Sequence, residues 1–116
     1  MRHQESRIQQ SCVRWFRLQY QRLAKLLFAV PNGGAHEAVT GRILKAEGVL
    51  AGVADLLLLY PCRGYHGLCI EMKTATGRQS DSQKEWQEAV TAAGYAYAVA
   101  RSLEKFRTLI EEYING

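Results

Sequence analysis

The sequence predicts an α/β protein with a small mixed β-sheet flanked by helices. Three observations carry this. Apolar residues recur at helical spacing over residues 4–28. Two aliphatic runs, 55–60 and 67–73, lie either side of a tight turn and are too short for buried helices. The rest alternates as a capped amphipathic helix, the run "YAYAVA" and a second capped helix. At 116 residues the chain is expected to be one domain, 1–116, around a single core.

The first helix is read from Ile8, Cys12 or Val13, Trp15, Phe16, Leu18, Tyr20, Leu23 and Leu27. Arg7, Arg14, Arg17, Arg22 and Lys25 fill the other positions and give it a basic outer face. For most of them a solvated face is reason enough. Ala29 and Val30 form a short strand or a linker, and "PNGG" at 31–34 signals a turn. Residues 38–47 suit a short helix in a stretch punctuated by Gly34, Gly41, Gly48 and Gly52. A glycine-rich connection of this length in a small domain is more often functional than idle.

The strands 55–60 and 67–73 follow, then a polar loop at 74–79 with Gly77. Either Ser80 with Gln83 or Ser82 with Glu85 forms a capping box for the next helix. That helix carries Trp86, Ala89, Val90 and Ala93 on one stripe, and Gly94 is placed to stop it. Residues 95–100 are a third strand. Ser102 caps a last helix with Phe106, Leu109, Ile110, Tyr113 and Ile114 on its apolar side.

The net charge of +4, with a pI near 9.1, suits a polyanionic partner. Three cysteines without a C-x-x-C pair argue against a disulfide framework or a zinc knot and for reduced thiols, with Cys69 in the core. The N-terminus lacks the apolar segment of a signal peptide, and no run is long enough to span a bilayer. A cytoplasmic location is expected, with no membrane partner. His36 and His66 are isolated, and Trp15 and Trp86 lie on apolar helical stripes that point to the core.

The stretch "GVADLLLLYPCRGYHGLCIEMK" carries the chemistry. Folding the chain at Arg63 and Gly64 makes the two runs antiparallel. Asp55 then lies opposite Met72, between Glu71 and Lys73, in a register free to slip by one or two residues. Glu71 and Lys73, two apart on a strand, point to the same face. Two close carboxylates repel unless a cation sits between them, and hard oxygen ligands suit Mg²⁺ or Mn²⁺. A lysine beside such a site can orient or deprotonate a water, or stabilise developing phosphate charge. The plain alternative is a surface ion pair, Glu71 with Lys73, and Asp55 as a turn residue.

Further segments fit the first reading. Glu5-x-x-Ile8-Gln9, "VPNGG" at 30–34, "KAEGVLAGVAD" at 45–55, "IEMK" at 70–73, "GRQSDSQKEW" at 77–86 and Gly94-Tyr95 occur in that order. Together they resemble the VRR-NUC family of the PD-(D/E)XK nuclease superfamily over nearly the whole chain. The resemblance implies a stand-alone domain with a restriction-endonuclease-like core. The family commonly has Pro before the catalytic Asp. Ala54 stands there instead, which costs no ligand.

The resemblance implies roles for individual residues. Asp55 and Glu71 would bind metal, with the Met72 backbone carbonyl as a third ligand. Lys73 would be the catalytic lysine. Gln83 would assist by hydrogen bonding near the lysine or the water, besides any capping role. Glu5 would reach in from the first helix and bind metal directly or through water. Asn32, Arg42, Lys45 and Arg78 are candidates for contacts to the DNA backbone.

The expected function is a metal-dependent, structure-selective DNA endonuclease. Its substrate is expected to be branched DNA such as four-way (Holliday) junctions, and its state a homodimer in a bacterial or phage-infected cytoplasm. The competing readings are a non-catalytic nucleic-acid-binding module on a nuclease fold and a restriction-type enzyme of the same superfamily. A domain this small has little room for sequence-reading elements, which disfavours the last.

Overall fold

The computed structural model describes residues 2–31 and 38–116. Asn32 and His36, and most of the "PNGG" turn, lie outside the described residues. In order the elements are α1 (Arg2–Gln19), a 3₁₀ helix (Gln21–Leu26), β1 (Leu27–Ala29), α2 (Ala38–Ala46), β2 (Leu56–Leu58), β3 (Leu68–Met72), α3 (Asp81–Ala92), β4 (Ala96–Ala100) and α4 (Leu103–Asn115). The four strands form one mixed sheet in the order β1-β2-β3-β4. β1, β2 and β3 pair antiparallel, while β3 and β4 run parallel with α3 as the crossover.

The first helical segment is shorter than expected. α1 ends at Gln19, Tyr20 leaves helical geometry (φ −123°, ψ 66°), and Leu27 already pairs with Leu58. The cause is tertiary. Leu26 accepts from the Leu59 N–H and Val30 donates to the Asp55 carbonyl, so strand pairing pulls this segment into the sheet. Tyr20 closes the break by packing its ring 5.2 Å from Phe16 and edge-on to Trp15 at 5.8 Å.

Strand parity divides the side chains between two layers. Leu56, Leu58, Leu68, Ile70, Met72 and Ala100 join Cys12 and Phe16 of α1 and Phe106, Ile110 and Tyr113 of α4 in the main core. Trp15 packs half-buried at its edge, with the Arg107 guanidinium 5.5 Å over its ring. The opposite face carries Cys69, Glu71 and Tyr97 beneath α3. β3 is buried along its whole length because both of its faces are covered. Trp86 belongs to this second layer, half-buried 6.3 Å from Tyr97, and not to the main core.

The hairpin turns where expected. Arg63 (φ 56°) and Gly64 (φ 85°) form a two-residue turn closed by reciprocal bonds between Cys62 and Tyr65. Arg63 also donates to the Glu112 carbonyl at 2.7 Å, which caps the last turn of α4. The register at the far end differs by one residue from the simple fold-back. Three residues separate Leu58 from Cys62, but only two separate Tyr65 from Leu68. Proline at 61, which cannot donate to a ladder, sits in the longer arm. Leu56 therefore pairs with Ile70, and continuing the register sets Asp55 across from Glu71 instead of Met72. This correction puts the two carboxylates on one face of the sheet.

Candidate active site

Asp55 lies one residue before β2 and is half-buried. Its Oδ2 accepts from the Met72 N–H at 2.7 Å, and its own carbonyl accepts from Val30. The side chain is thus tied to β3 and the backbone to the start of the segment after β1. Glu71 sits on the central strand and is 2% exposed. Its Oε2 accepts from Gln83 Nε2 at 2.8 Å and lies 3.9 Å from Lys73 Nζ. Its Oε1 is buried with no hydrogen-bond partner. Lys73 follows β3 directly, held by its N–H to the Ala100 carbonyl, with a side chain 13% exposed.

Gln83 caps α3 as expected, and its remaining hydrogen bond goes to Glu71. Its Oε1 accepts from the Ser80 N–H at 2.8 Å while Ser80 Oγ accepts from the Gln83 N–H, a complete capping box. Ser80, not Ser82, is therefore the cap. The amide nitrogen is left to hold Glu71 rather than the lysine. A helix start thus fixes the rotamer of a carboxylate on the neighbouring strand.

Burial is the main reason the Glu71 carboxyl is pushed up to about 8. The neighbouring Asp55 carboxyl raises it further, Lys73 opposes, and Glu5 adds a smaller push. Glu5, half-buried in the first turn of α1, is therefore near enough for its charge to be felt. Among the described residues no three His, Cys, Asp or Glu side chains form a metal-binding group. The two carboxylates that the structure brings together are Asp55 and Glu71. An unpartnered, buried carboxylate oxygen beside a second carboxylate is costly in an empty protein interior. It suits a hard divalent cation that completes its shell with water and substrate oxygens.

Gly52 explains why the connection before Asp55 needs glycine. Its φ is +91°, and an added Cβ would strike the Ser82 backbone at the start of α3. This close approach locks the "GVAD" segment against the helix that carries Gln83. Gly52→Ala should destabilise the fold by roughly 2–4 kcal/mol, since it adds backbone strain to overpacking. Urea melts measure this, and a loss below about 0.5 kcal/mol, the range of ordinary surface changes, would contradict the packing argument.

Two supports were not read from the sequence. Arg101 donates to the carbonyls of Thr74 and Gly77 at 2.7 Å, fixing the loop that follows Lys73. Gln79 Nε2 donates to Tyr97 Oη and Gln87 Oε1, tying that loop to β4 and α3. Tyr97 faces the site because it pairs with Cys69, and its phenol is pushed up to about 12, mainly by burial. Finding either support requires knowing that β4 lies parallel to β3.

Arg42 and Lys45 are exposed on α2 and Arg78 is exposed in the loop before α3. No hydrogen bond or ion pair joins them to the acidic pair, though Lys45 lines a cleft shared with Ser82, the neighbour of Gln83. His66 packs against Gly94 and stands edge-on to Tyr95 at 5.4 Å, a structural role. All three cysteines are free, and Cys69 is buried.

An acidic residue at one strand end, an E-x-K on the central strand and a helix-borne glutamine on a mixed four-stranded sheet define the PD-(D/E)XK nuclease fold. The VRR-NUC domain profile matches residues 1–104, and the chain belongs to the VRR-NUC family of nucleases. A solved structure titled "VRR_NUC domain protein" superposes with a TM-score of 0.83 at 27% identity. The match covers 95% of this chain and 87% of that one. No curated protein matches. No helix among the described residues is long and apolar enough to cross a membrane.

Proposed function

We propose that the protein is a metal-dependent DNA endonuclease that hydrolyses phosphodiester bonds. The observation that carries this reading is the buried Glu71, with one oxygen unpartnered, facing Asp55 and flanked by Lys73. Asp55, Glu71 and the Met72 carbonyl would hold Mg²⁺ or Mn²⁺. When bound, that ion would polarise the scissile phosphate and acidify a water. Gln83 keeps Glu71 in one rotamer, and the Met72 N–H does the same for Asp55. Lys73 presents a positive charge where negative charge builds up on the phosphate. Glu5 orders water at the edge of the site. Arg42, Lys45 and Arg78, with Asn32, contact the DNA backbone.

The preferred substrate in this reading is branched DNA, foremost four-way junctions, cut by a homodimer. One small domain has one site and little surface, and a two-fold dimer matches a roughly two-fold substrate. β4 is an edge strand of the sheet and offers one surface for such pairing. The three free thiols fit a reducing bacterial or phage-infected cytoplasm. Labelled duplex, flap and junction DNAs incubated with Mg²⁺ or Mn²⁺ test the chemistry, and sedimentation at micromolar protein tests the dimer. Junction cleavage well above duplex cleavage at matched salt is expected. No cleavage of any substrate with either ion would refute the enzyme. Equal cutting of duplex and junction, or a monomer in sedimentation, would refute only the substrate and assembly.

A further inference from the structure

The arginines of this protein sort by what they do. Arg63 caps α4, Arg101 pins the loop after Lys73, and Arg107 lies over Trp15. Arg14 and Arg17 do none of these. Both are exposed on α1, and among the described residues the one salt bridge is Lys73 with Glu71, so neither has an acidic partner. They are three residues apart, hence neighbours on one helix face, where like charges repel. No packing or pairing accounts for them.

Both line the same groove, between α1 and the edge strand β1, together with Ser6, Gln9, Gln10 and Ala29. Two of its lining residues are chain neighbours of residues that reach the active site. Its α1 wall begins one residue beyond Glu5, whose charge reaches Glu71. Its β1 wall ends one residue before Val30, whose N–H bonds the Asp55 carbonyl. Val13, Leu18 and Phe28 give it an apolar floor, and along α1 from the Glu5 end its polar groups are first an hydroxyl and amides and then two guanidinium groups. That order of neutral donors and then fixed cations matches a nucleic-acid backbone leaving a cleavage site.

We infer that the α1–β1 groove is the track for one DNA arm, with Arg14 and Arg17 holding its backbone phosphates. This rests on the nuclease reading above and adds the path of the substrate. A helix rises about 1.5 Å per residue, so Arg14 and Arg17 stand roughly 14 and 18 Å along α1 from Glu5. With one phosphate per strand every 3.4 Å of duplex axis, the contacts fall about four to five base pairs from the cut.

The test measures binding of a four-way junction and a duplex by fluorescence anisotropy across a salt series, with Ca²⁺ in place of Mg²⁺. Wild type, Arg14→Gln, Arg17→Gln and the double variant are compared with Lys105→Gln on α4. Each groove variant should flatten the plot of log affinity against log salt by about 0.9, and the double by about 1.8. Lys105→Gln should leave the slope unchanged. Neutral methylphosphonates placed four to five nucleotides from the cut should weaken wild-type binding and have little effect on the double variant. Wild-type slope in the double variant would overturn the track. So would an equal loss in Lys105→Gln, which would mean diffuse attraction, or a change of oligomeric state in sedimentation, which would make the groove an interface between copies. If wild type itself binds no DNA, the nuclease reading fails, a result distinct from wild type binding with the groove irrelevant.

Discussion

Lys73→Met should slow single-turnover DNA cleavage by about 10² or more, while DNA binding stays within a few-fold of wild type. Methionine keeps an unbranched apolar stem nearly as long as that of lysine and removes the ammonium group. The Lys73 ammonium lies 3.9 Å from Glu71 Oε2, on a strand end fixed by the Ala100 carbonyl and a loop held by Arg101. A charge held in place before the reaction begins is worth about 10²–10³ in rate when charge develops beside it. Binding depends instead on many phosphate contacts, of which one lysine is a small part. Turnover near wild type in a folded variant would remove Lys73 from the mechanism. The change has a second consequence. Lys73 opposes the upward push on the Glu71 carboxyl, so its loss moves that group higher still and makes the acidic pair harder to ionise.

Much of this site was legible because its parts obey local rules. Arg63-Gly64 could be read as the turn because two aliphatic runs flank it and glycine accepts positive φ. Gln83 could be read as part of a capping box because Ser-x-x-Gln has a fixed geometry, and Gly94 as a stop for the same kind of reason. Glu71 and Lys73 share a face by strand period alone.

What failed depended on distant partners. The helical spacing of Leu23 and Leu27 continues past the real end of α1, because a 3₁₀ turn and an edge strand place the same leucines in the same core. The position of Asp55 was one residue off because the arm through Pro61 is longer than its partner. Gly52 was one glycine among several in its stretch, and the contact that requires it is visible only once α3 is packed against it. Tyr97 and Arg101 reach the site through the parallel pairing of β3 and β4, which local sequence does not encode. Glu5 entered only through the family resemblance, since nothing in its own neighbourhood distinguishes it from an ordinary exposed acid.

The protein without metal should lose stability as pH rises from about 5 to about 8, and Glu71→Gln should abolish most of that loss. The folded-state carboxyl of Glu71 sits at about 8 against an ordinary value of 4.5. Between those values the folded protein holds a proton that the unfolded chain has released. Stability then falls with rising pH, because the unfolded state binds fewer protons. The stabilising difference is complete below about 4.5 and gone above about 8. One pKa unit corresponds to about 1.4 kcal/mol, so the window spans on the order of a few kcal/mol. Glutamine keeps the acceptor for Gln83 and removes the charge, so the variant should be the more stable protein at pH 8 and near wild type at pH 5. Urea melts of both proteins in a chelator, at half-unit pH steps, measure the difference between the two slopes. If Asp55 and Glu71 hold the ion as proposed, Mn²⁺ at pH 8 should restore wild type by mass action and do much less for the variant. Parallel pH profiles for the two proteins would show that burial and Asp55 do not load this carboxyl as the geometry requires. Equal Mn²⁺ stabilisation of both would place the cation elsewhere.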